Sequence, residues 1–92
     1  MIRHVELTEQ VKKHLRKVPQ HVAGKLLLWV RYVRASGLEE VRKIPGFHDE
    51  PLKGQRAGQR SIRLSKAYRA IYVIKEREVS FVSVEEVSKH EY

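Results

Sequence analysis

The residues of this chain that are able to do chemistry are concentrated in its second half. Six cationic side chains lie between positions 53 and 69 with no acidic residue among them: Lys53, Arg56, Arg60, Arg63, Lys66 and Arg69. Such a cluster favours a polyanionic partner. His90 and Tyr92 follow in the last residues of the sequence, and imidazole and phenol groups both transfer protons. The pattern therefore predicts a site that binds an anion and moves protons.

The chain as a whole is small and strongly basic. It has 92 residues and a formal net charge of +8, so we expect one domain, residues 1–92, that binds an anionic partner. Among anionic partners the charge favours nucleic acid, while an acidic membrane surface or an acidic protein stays open. The chain has no cysteine and no apolar run of about 20 residues, and it begins without a secretory signal. We expect a cytoplasmic protein without a membrane partner.

The first half of the chain predicts a short strand and two helices. Residues 2–7 carry the apolar members of the strand, and Thr8 is a suitable N-cap for a helix that ends before Pro19. Pro19 and Gly37 are typical of the start and the end of a second helix. Its apolar residues form one stripe suited to packing on a sheet: Val22, Leu26, Trp29, Val30 and Val33.

The second half predicts three strands. Ile62 and Leu64 alternate with polar residues from position 60 to 65, residues 68–75 are apolar on both faces, and residues 78–84 follow a polar turn. The order predicts an α+β fold, a small antiparallel sheet with the two N-terminal helices packed on one face. In the last strand the apolar parity shifts at position 82, which predicts either burial on both faces or a bulge.

This arrangement predicts where the arginines lie. If the helices cover the side of the sheet that carries Ile62 and Leu64, then Arg63 projects from the uncovered side. The neighbouring strand begins near Arg69, and cross-strand neighbours stand about 5 Å apart. Several guanidinium groups are therefore expected to converge on one phosphate.

Four segments resemble those of a known family when they are taken together. They are residues 50–54 (Glu-Pro-Leu-Lys-Gly), residues 58–64, residues 68–72, and the last residues with His90 and Tyr92. In this combination the chain resembles the RelE/ParE toxin superfamily of bacterial type II toxin–antitoxin systems, especially its mRNA-cleaving RelE, YoeB and HigB branches. The resemblance implies a RelE-like β-α-α-β-β-β fold, cleavage of mRNA in the ribosomal A site, and inhibition by a cognate antitoxin.

Cleavage of RNA without a metal or cofactor sets clear demands on the site. The 2′-hydroxyl attacks its own phosphate, so a base must remove one proton and an acid must protonate the departing 5′-oxygen. Cations must stabilise the charge that develops on the phosphate. Arg63 and Arg69 are our candidates for that role, because a planar guanidinium holds phosphate oxygens in pairs. Lys53 adds a point charge.

The proton-transfer roles follow in part from the resemblance. Glu50 matches the acidic base of the YoeB-like pattern, and His90 suits either an acid or a base because its unperturbed pKa is about 6.5. Tyr92 is a candidate for orienting a base, stacking on a nucleobase or transferring a proton. Glu91 separates His90 from Tyr92, which are adjacent in YoeB-like chains, but residues two apart in a strand share a face. The scheme resembles YoeB and HigB more than RelE, so no RelE lysine role is assigned to Ser61.

Further cationic side chains are candidates for RNA contact. They are Arg56, Arg60, Lys66, Lys12, Lys13 and Arg16. Residues 10–38 carry seven basic and no acidic side chains, which we interpret as a surface for ribosomal RNA, where an acidic antitoxin segment would compete. The other interpretation is solubility. Leu27 and Leu28 lie partly off the apolar stripe and indicate either a wider buried face or a contact with a protein partner.

Two other functions stay open at this point. One is a ParE-like inhibitor of DNA gyrase without nuclease activity, and the other is a non-enzymatic basic module that binds nucleic acid. Glu50, Lys53, His90 and Tyr92 favour the nuclease, because neither alternative needs proton-transfer groups at those positions. The remaining histidines lack ligand spacing, and His48 is predicted to lie on the surface of a loop rather than in a metal site.

Overall fold

Residues 1–87 are described by a computed structural model, in which three α-helices pack on one face of a five-stranded sheet. In chain order the elements are β1 (His4–Leu7), α1 (Glu9–Leu15), α2 (Gln20–Ser36), α3 (Leu38–Val41), β2 (Glu50–Pro51), β3 (Arg60–Arg63), β4 (Tyr68–Lys75) and β5 (Glu78–Glu86), with 3-10 turns at Pro45–Phe47 and Gly54–Arg56. The predicted α+β architecture is confirmed. No helix within the described range is long and apolar enough to span a membrane.

The order of the strands across the sheet is β1-β5-β4-β3-β2. The strands β3, β4 and β5 are antiparallel as predicted and β2 joins them antiparallel, but β1 runs parallel to β5, so the sheet is mixed. The parallel pair arises because the helices carry the chain from β1 to the far edge, and the β2–β5 meander then returns it. The strand β2 and the helix α3 are not predicted from the sequence, since elements of two and four residues show no periodicity.

The core lies between α2 and the middle of the sheet. The predicted stripe of α2 is buried, and its Trp29 ring lies 5.3 Å from the ring of Tyr72 and 5.2 Å from that of Phe81. Such aromatic pairs add to the stabilisation from buried apolar area. Leu27 and Leu28 are 47% and 38% exposed, so neither is fully part of the buried face of α2. The stripe therefore fixes α2 against β4 and β5.

A β-bulge decides which side chains of β5 reach the open face of the sheet. Tyr72 pairs with Phe81 whereas Ile71 pairs with Ser83, so Val82 is an extra residue in β5. The bulge predicted as one of two alternatives at this position is therefore present. A single extra residue reverses the faces of everything beyond it. As a result Glu85 lies on the open face instead of facing the helices.

A buried polar cluster holds the edge of the sheet to the layer of helices. The side chain of Asp49 is fully buried, and its carboxylate accepts hydrogen bonds from the Tyr72 hydroxyl and from Arg60 Nε, both at 2.7 Å. Arg42 Nε lies 3.5 Å from the Tyr72 hydroxyl. Burial raises the pKa of Tyr72 to about 12, and the neighbouring Asp49 carboxylate acts in the same direction. The cluster fixes the segment that enters β2.

We expect Tyr72→Phe to lower the free energy of unfolding by about 1–3 kcal/mol, because it removes a donor from a buried carboxylate. Tyr32→Phe is the matched control, since Tyr32 is 41% exposed and its ring still packs against Phe47. Urea denaturation of both variants measures the difference. Equal stability of the two variants would contradict the role given to this cluster.

Candidate functional site

A groove of about 100 Å³ lies on the open face of the sheet, at the end where β2, β3 and β4 meet. Its lining includes His48, Glu50, Ser61, Arg63, Tyr68 and Arg69. Three of these residues, Glu50, Arg63 and Arg69, are candidates that the sequence analysis named. The sheet therefore gathers a carboxylate and two guanidinium groups around one concave surface.

The strand register explains why these side chains meet. Arg63 on β3 stands directly opposite Arg69 on β4, and Glu50 on β2 stands opposite Ser61, two residues before Arg63. Side chains at i and i+2 of a strand point to the same face. The arginines are like charges in a cross-strand pair, which is an unfavourable arrangement without an anion nearby. The positive charge of Arg63 and Arg69 therefore favours an anion in the groove.

Glu85 supplies part of the negative charge that Arg63 and Arg69 favour. Its Oε1 atom accepts hydrogen bonds from Arg69 Nη2 at 3.2 Å and from Arg56 Nη1 at 3.1 Å, while Oε2 lies 2.6 Å from Arg56 Nη2 and 3.0 Å from Ser83 Oγ. The hydrogen bond from Arg56 is the main cause that lowers the pKa of Glu85 to about 2. The run from 53 to 69 contains no acidic residue, but the fold brings one to it from β5.

The open face is less exposed than the sequence analysis predicted. Arg56 belongs to the loop between β2 and β3, yet its guanidinium reaches Glu85 on β5. The Arg56 side chain therefore links this loop to β5. Ile71, which alternates with the helix-facing Ala70 and Tyr72, is also fully buried. The groove lies at the end of the open face near Arg63 and Arg69.

The catalytic candidate Lys53 and the other candidates for RNA contact lie in different surroundings. The guanidinium of Arg60 is paired with Asp49 in the buried cluster. Lys53 and Lys66 are exposed, in the β2–β3 loop and in the β3–β4 turn, and neither lines the groove. Three more basic side chains are exposed along α1 and its end: Lys12, Lys13 and Arg16. Among them Lys12 forms an i,i+3 ion pair with Glu9 at 3.3 Å.

His90 and Tyr92 lie outside the described residues, so their predicted roles stay predictions. Val87, the last described residue, lines the groove, and its backbone N–H donates to the carbonyl of Ala67 at 2.7 Å. The chain thus leaves β5 beside the site. Residues 1–87 contain no group of three or more His, Asp and Glu side chains placed to hold a metal ion.

His48 is a member of the groove that the sequence analysis did not assign to it. It lies on the surface as predicted, with a left-handed backbone conformation (φ 45°) at the end of the Pro45–Phe47 turn. Its side chain lines the same groove as Glu50, whereas Asp49 between them is buried. The alternation of positions 48, 49 and 50 was the available signal, but without β2 in the prediction there was no strand to apply it to.

Comparison with known proteins rests on structure alone. No known family profile matches this chain, and neither does any curated protein sequence. The chain superposes on RelE of the archaeal RelE–RelB complex from Pyrococcus horikoshii with a TM-score of 0.71 and 19% identity, over 97% of this chain and 99% of that one. It has the fold of the RelE/ParE toxin superfamily.

Other toxins show the same RelE-like fold. YafQ from Escherichia coli matches with a TM-score of 0.71 and 17% identity, over 91% of this chain and 92% of its own. The YoeB/ParE toxin from Agrobacterium tumefaciens matches with a TM-score of 0.68 and 16% identity, over 92% and 99%. At such identities the likeness establishes the fold. The chemistry must be argued from the residues of this chain.

The Glu85 ion pairs predict a pH-dependent loss of stability. Because the pKa of Glu85 falls from 4.5 to about 2 on folding, its contribution is complete above pH 4.5 and is lost as the pH falls through about 2. We expect Glu85→Gln to destabilise the protein by about 1 kcal/mol at neutral pH, after allowance for solvent screening. The difference from wild type should narrow between pH 4.5 and pH 2, as measured by denaturant unfolding.

Glu86→Gln is the matched control for that experiment. Glu86 is the next residue of β5 and is exposed, and it forms none of the ion pairs found among residues 1–87. Its variant should have wild-type stability throughout the pH range. A Glu85→Gln effect of the same size at every pH would show that lost packing, not charge, is responsible.

Proposed function

We propose that this protein is the toxin of a type II toxin–antitoxin system and that it is a metal-independent mRNA endoribonuclease acting on the ribosome in the cytoplasm. The observation that carries the proposal is the convergence of Glu50, Arg63 and Arg69 in one groove of a RelE-like fold. The comparisons support a toxin. The nuclease activity is inferred from the groups that line the groove.

The proposed reaction uses the 2′-hydroxyl of the RNA as its nucleophile. Glu50 accepts the proton of that hydroxyl, since it is an exposed carboxylate at the edge of the groove. Arg63 and Arg69 bind the oxygens of the phosphate and stabilise the charge of the five-coordinate transition state. Lys53 contributes positive charge from the adjoining loop. The reaction yields a 2′,3′-cyclic phosphate and a free 5′-hydroxyl.

An acid is still needed for the departing 5′-oxygen, and two imidazoles are candidates. His90 follows Val87 by three residues, and three residues of extended chain reach about 10 Å. We propose His90 as the acid and Tyr92 as the group that orients it or stacks on a base. His48 lines the groove together with Glu50, which follows it by two residues. It is the competing assignment.

Two further surfaces support binding partners of this toxin. We propose that Lys12, Lys13 and Arg16 contact ribosomal RNA, because they form an exposed cationic row on α1. A cognate antitoxin would supply apolar side chains for the exposed Leu27 and Leu28 of α2. Structural neighbours include the toxin–antitoxin complexes RelE–RelB and YoeB–YefM, which are consistent with such a partner.

A ParE-like inhibitor of DNA gyrase is the second candidate. One observation favours it: Glu85 pairs with Arg56 and Arg69. A surface on which carboxylate and guanidinium groups are paired suits contact with a protein more than contact with phosphate. A gyrase inhibitor would block supercoiling without cutting RNA. The non-enzymatic nucleic-acid-binding module would do neither.

We expect Arg69→Ala and His90→Gln each to reduce cleavage of translated mRNA by 10²-fold or more, because each removes a group that acts in the transition state. Primer extension on mRNA from a cell-free translation reaction measures this loss. Arg77→Ala is the matched control, since the exposed Arg77 lies in the turn after β4, about 20 Å along the strand from Arg69. His48→Gln tests the competing acid.

The outcomes of this experiment separate the candidate functions. Full activity of His90→Gln with an inactive His48→Gln would transfer the acid role to His48. Wild-type protein that cuts no mRNA but inhibits DNA supercoiling would support the gyrase inhibitor. Wild-type protein with neither activity would leave the basic binding module.

Charge reversal on α1 tests the proposed contact with ribosomal RNA. We expect the double variant Lys13→Glu/Arg16→Glu to bind ribosomes more weakly and with a shallower salt dependence, because two phosphate contacts are lost. Lys75→Glu/Arg77→Glu changes the net charge equally at the far end of β4 and should bind as wild type. Ribosome cosedimentation at several salt concentrations compares them. Equal binding by both variants would assign the α1 charges to solubility.

A further inference from the structure

Glu85 is the only carboxylate within the described residues that bonds to an arginine of the groove. It joins three elements: the β2–β3 loop through Arg56, β4 through Arg69, and its own strand through Ser83. The contact with Arg56 uses both carboxylate oxygens and both terminal nitrogens of the guanidinium, at 3.1 and 2.6 Å. This is the paired geometry that a guanidinium also forms with phosphate.

Arg63 is a second cation beside the Glu85–Arg69 pair. Arg63 stands opposite Arg69 and forms no ion pair among residues 1–87. Glu50 also lines the groove, but within residues 1–87 it is Glu85 that forms an ion pair with Arg69. The side chains of Glu85 and Arg69 keep 29% and 28% of their surface exposed, so solvent and an incoming anion both reach the pair. An ion pair of this exposure is weak enough to be exchanged.

We propose that Glu85 is a built-in competitor for the RNA phosphate: it holds Arg69 in the free protein, and the phosphate takes its place on Arg69 when RNA binds. Glu85 acts through the arginine and is a positioning residue. Exchange replaces one charge-assisted contact of Arg69 with another, while Arg56 keeps the displaced carboxylate at the rim. The inference rests on the proposed role of the groove in RNA binding, but it does not require cleavage.

The bulge in β5 gives the proposal a structural basis. If β5 paired regularly beyond Phe81, with Val82 opposite Ile71, the side chain of Glu85 would face the helices and could not pair with Arg69 on the open face. The carboxylate is therefore placed by a local irregularity of the strand. It lowers the repulsion between Arg63 and Arg69 in the free protein at the expense of affinity for RNA.

Binding of an uncleavable oligonucleotide tests the competition directly. The probe is a short fluorescein-labelled single-stranded RNA with 2′-O-methyl groups throughout, and fluorescence anisotropy at low ionic strength gives its affinity for the full chain. We expect Glu85→Gln to bind about fivefold more tightly than wild type. The slope of log affinity against log salt should steepen by about 0.7, because one more cation becomes available to phosphate.

Three variants separate competition from other effects. Glu86→Gln changes the net charge equally and should bind within about twofold of wild type. Ser83→Ala, which removes a donor to Glu85 and no charge, should shift affinity in the same direction as Glu85→Gln by a smaller factor. In an Arg69→Ala background the gain from Glu85→Gln should shrink to the part that acts through Arg56, since the competition proposed here acts on the Arg69 guanidinium. Thermal unfolding confirms that each variant is folded.

Several results would overturn the proposal. They are equal gains in Glu85→Gln and Glu86→Gln, weaker binding by Glu85→Gln, or a gain of undiminished size without Arg69. Weaker binding in particular would mean that Glu85 orients Arg69 for RNA instead of competing with it. If Glu85→Gln binds more tightly while no variant cuts translated mRNA, the competition stands and the proposed nuclease function fails.

Discussion

Two arginines stand directly opposite each other on neighbouring strands, because the antiparallel register of β3 and β4 pairs Arg63 with Arg69. Like charges in that position repel, so this end of the sheet depends on an anion. Glu85 supplies one in the free protein. We propose that a phosphate supplies it when RNA is bound. One electrostatic constraint thus connects the stability of the sheet to the binding of a ligand.

The rest of the fold places groups around that pair. On the helix side, buried Asp49 bonds to Tyr72 and Arg60 and holds the segment that enters β2. Since adjacent positions in an extended chain face opposite ways, Glu50 lines the groove because Asp49 is buried. The bulge in β5 does the equivalent for Glu85. Glu50 and Glu85 therefore reach the groove because of side-chain burial and strand pairing elsewhere in the sheet.

Local patterns predicted the large elements of this fold well. Residues 68–75 were predicted as a central strand and form β4 with the same bounds, because a run that is apolar on both faces has few other solutions. The bounds of α2 followed from its apolar stripe and from Pro19 and Gly37. The alternation around Ile62 also placed Arg63 on the correct face. In contrast, β2 and α3 are too short to have a period.

The contacts that decide the chemistry of the groove were beyond such patterns. Glu85 lies 29 residues from Arg56 and 16 from Arg69, and no spacing rule connects residues that meet only through the sheet. The parity shift near Val82 indicated a bulge or burial on both faces, and only the register of β5 chose between them. Arg60 looked like its neighbours in the basic run, yet its partner is the buried Asp49.

The measurement that tests the account most directly is a structure of this protein bound to an RNA that lacks the 2′-hydroxyl nucleophile. The account predicts one phosphate between Arg63 and Arg69, with the carboxylate of Glu85 withdrawn from Arg69. An RNA bound elsewhere on the surface, with the Arg69–Glu85 pair intact, would contradict it.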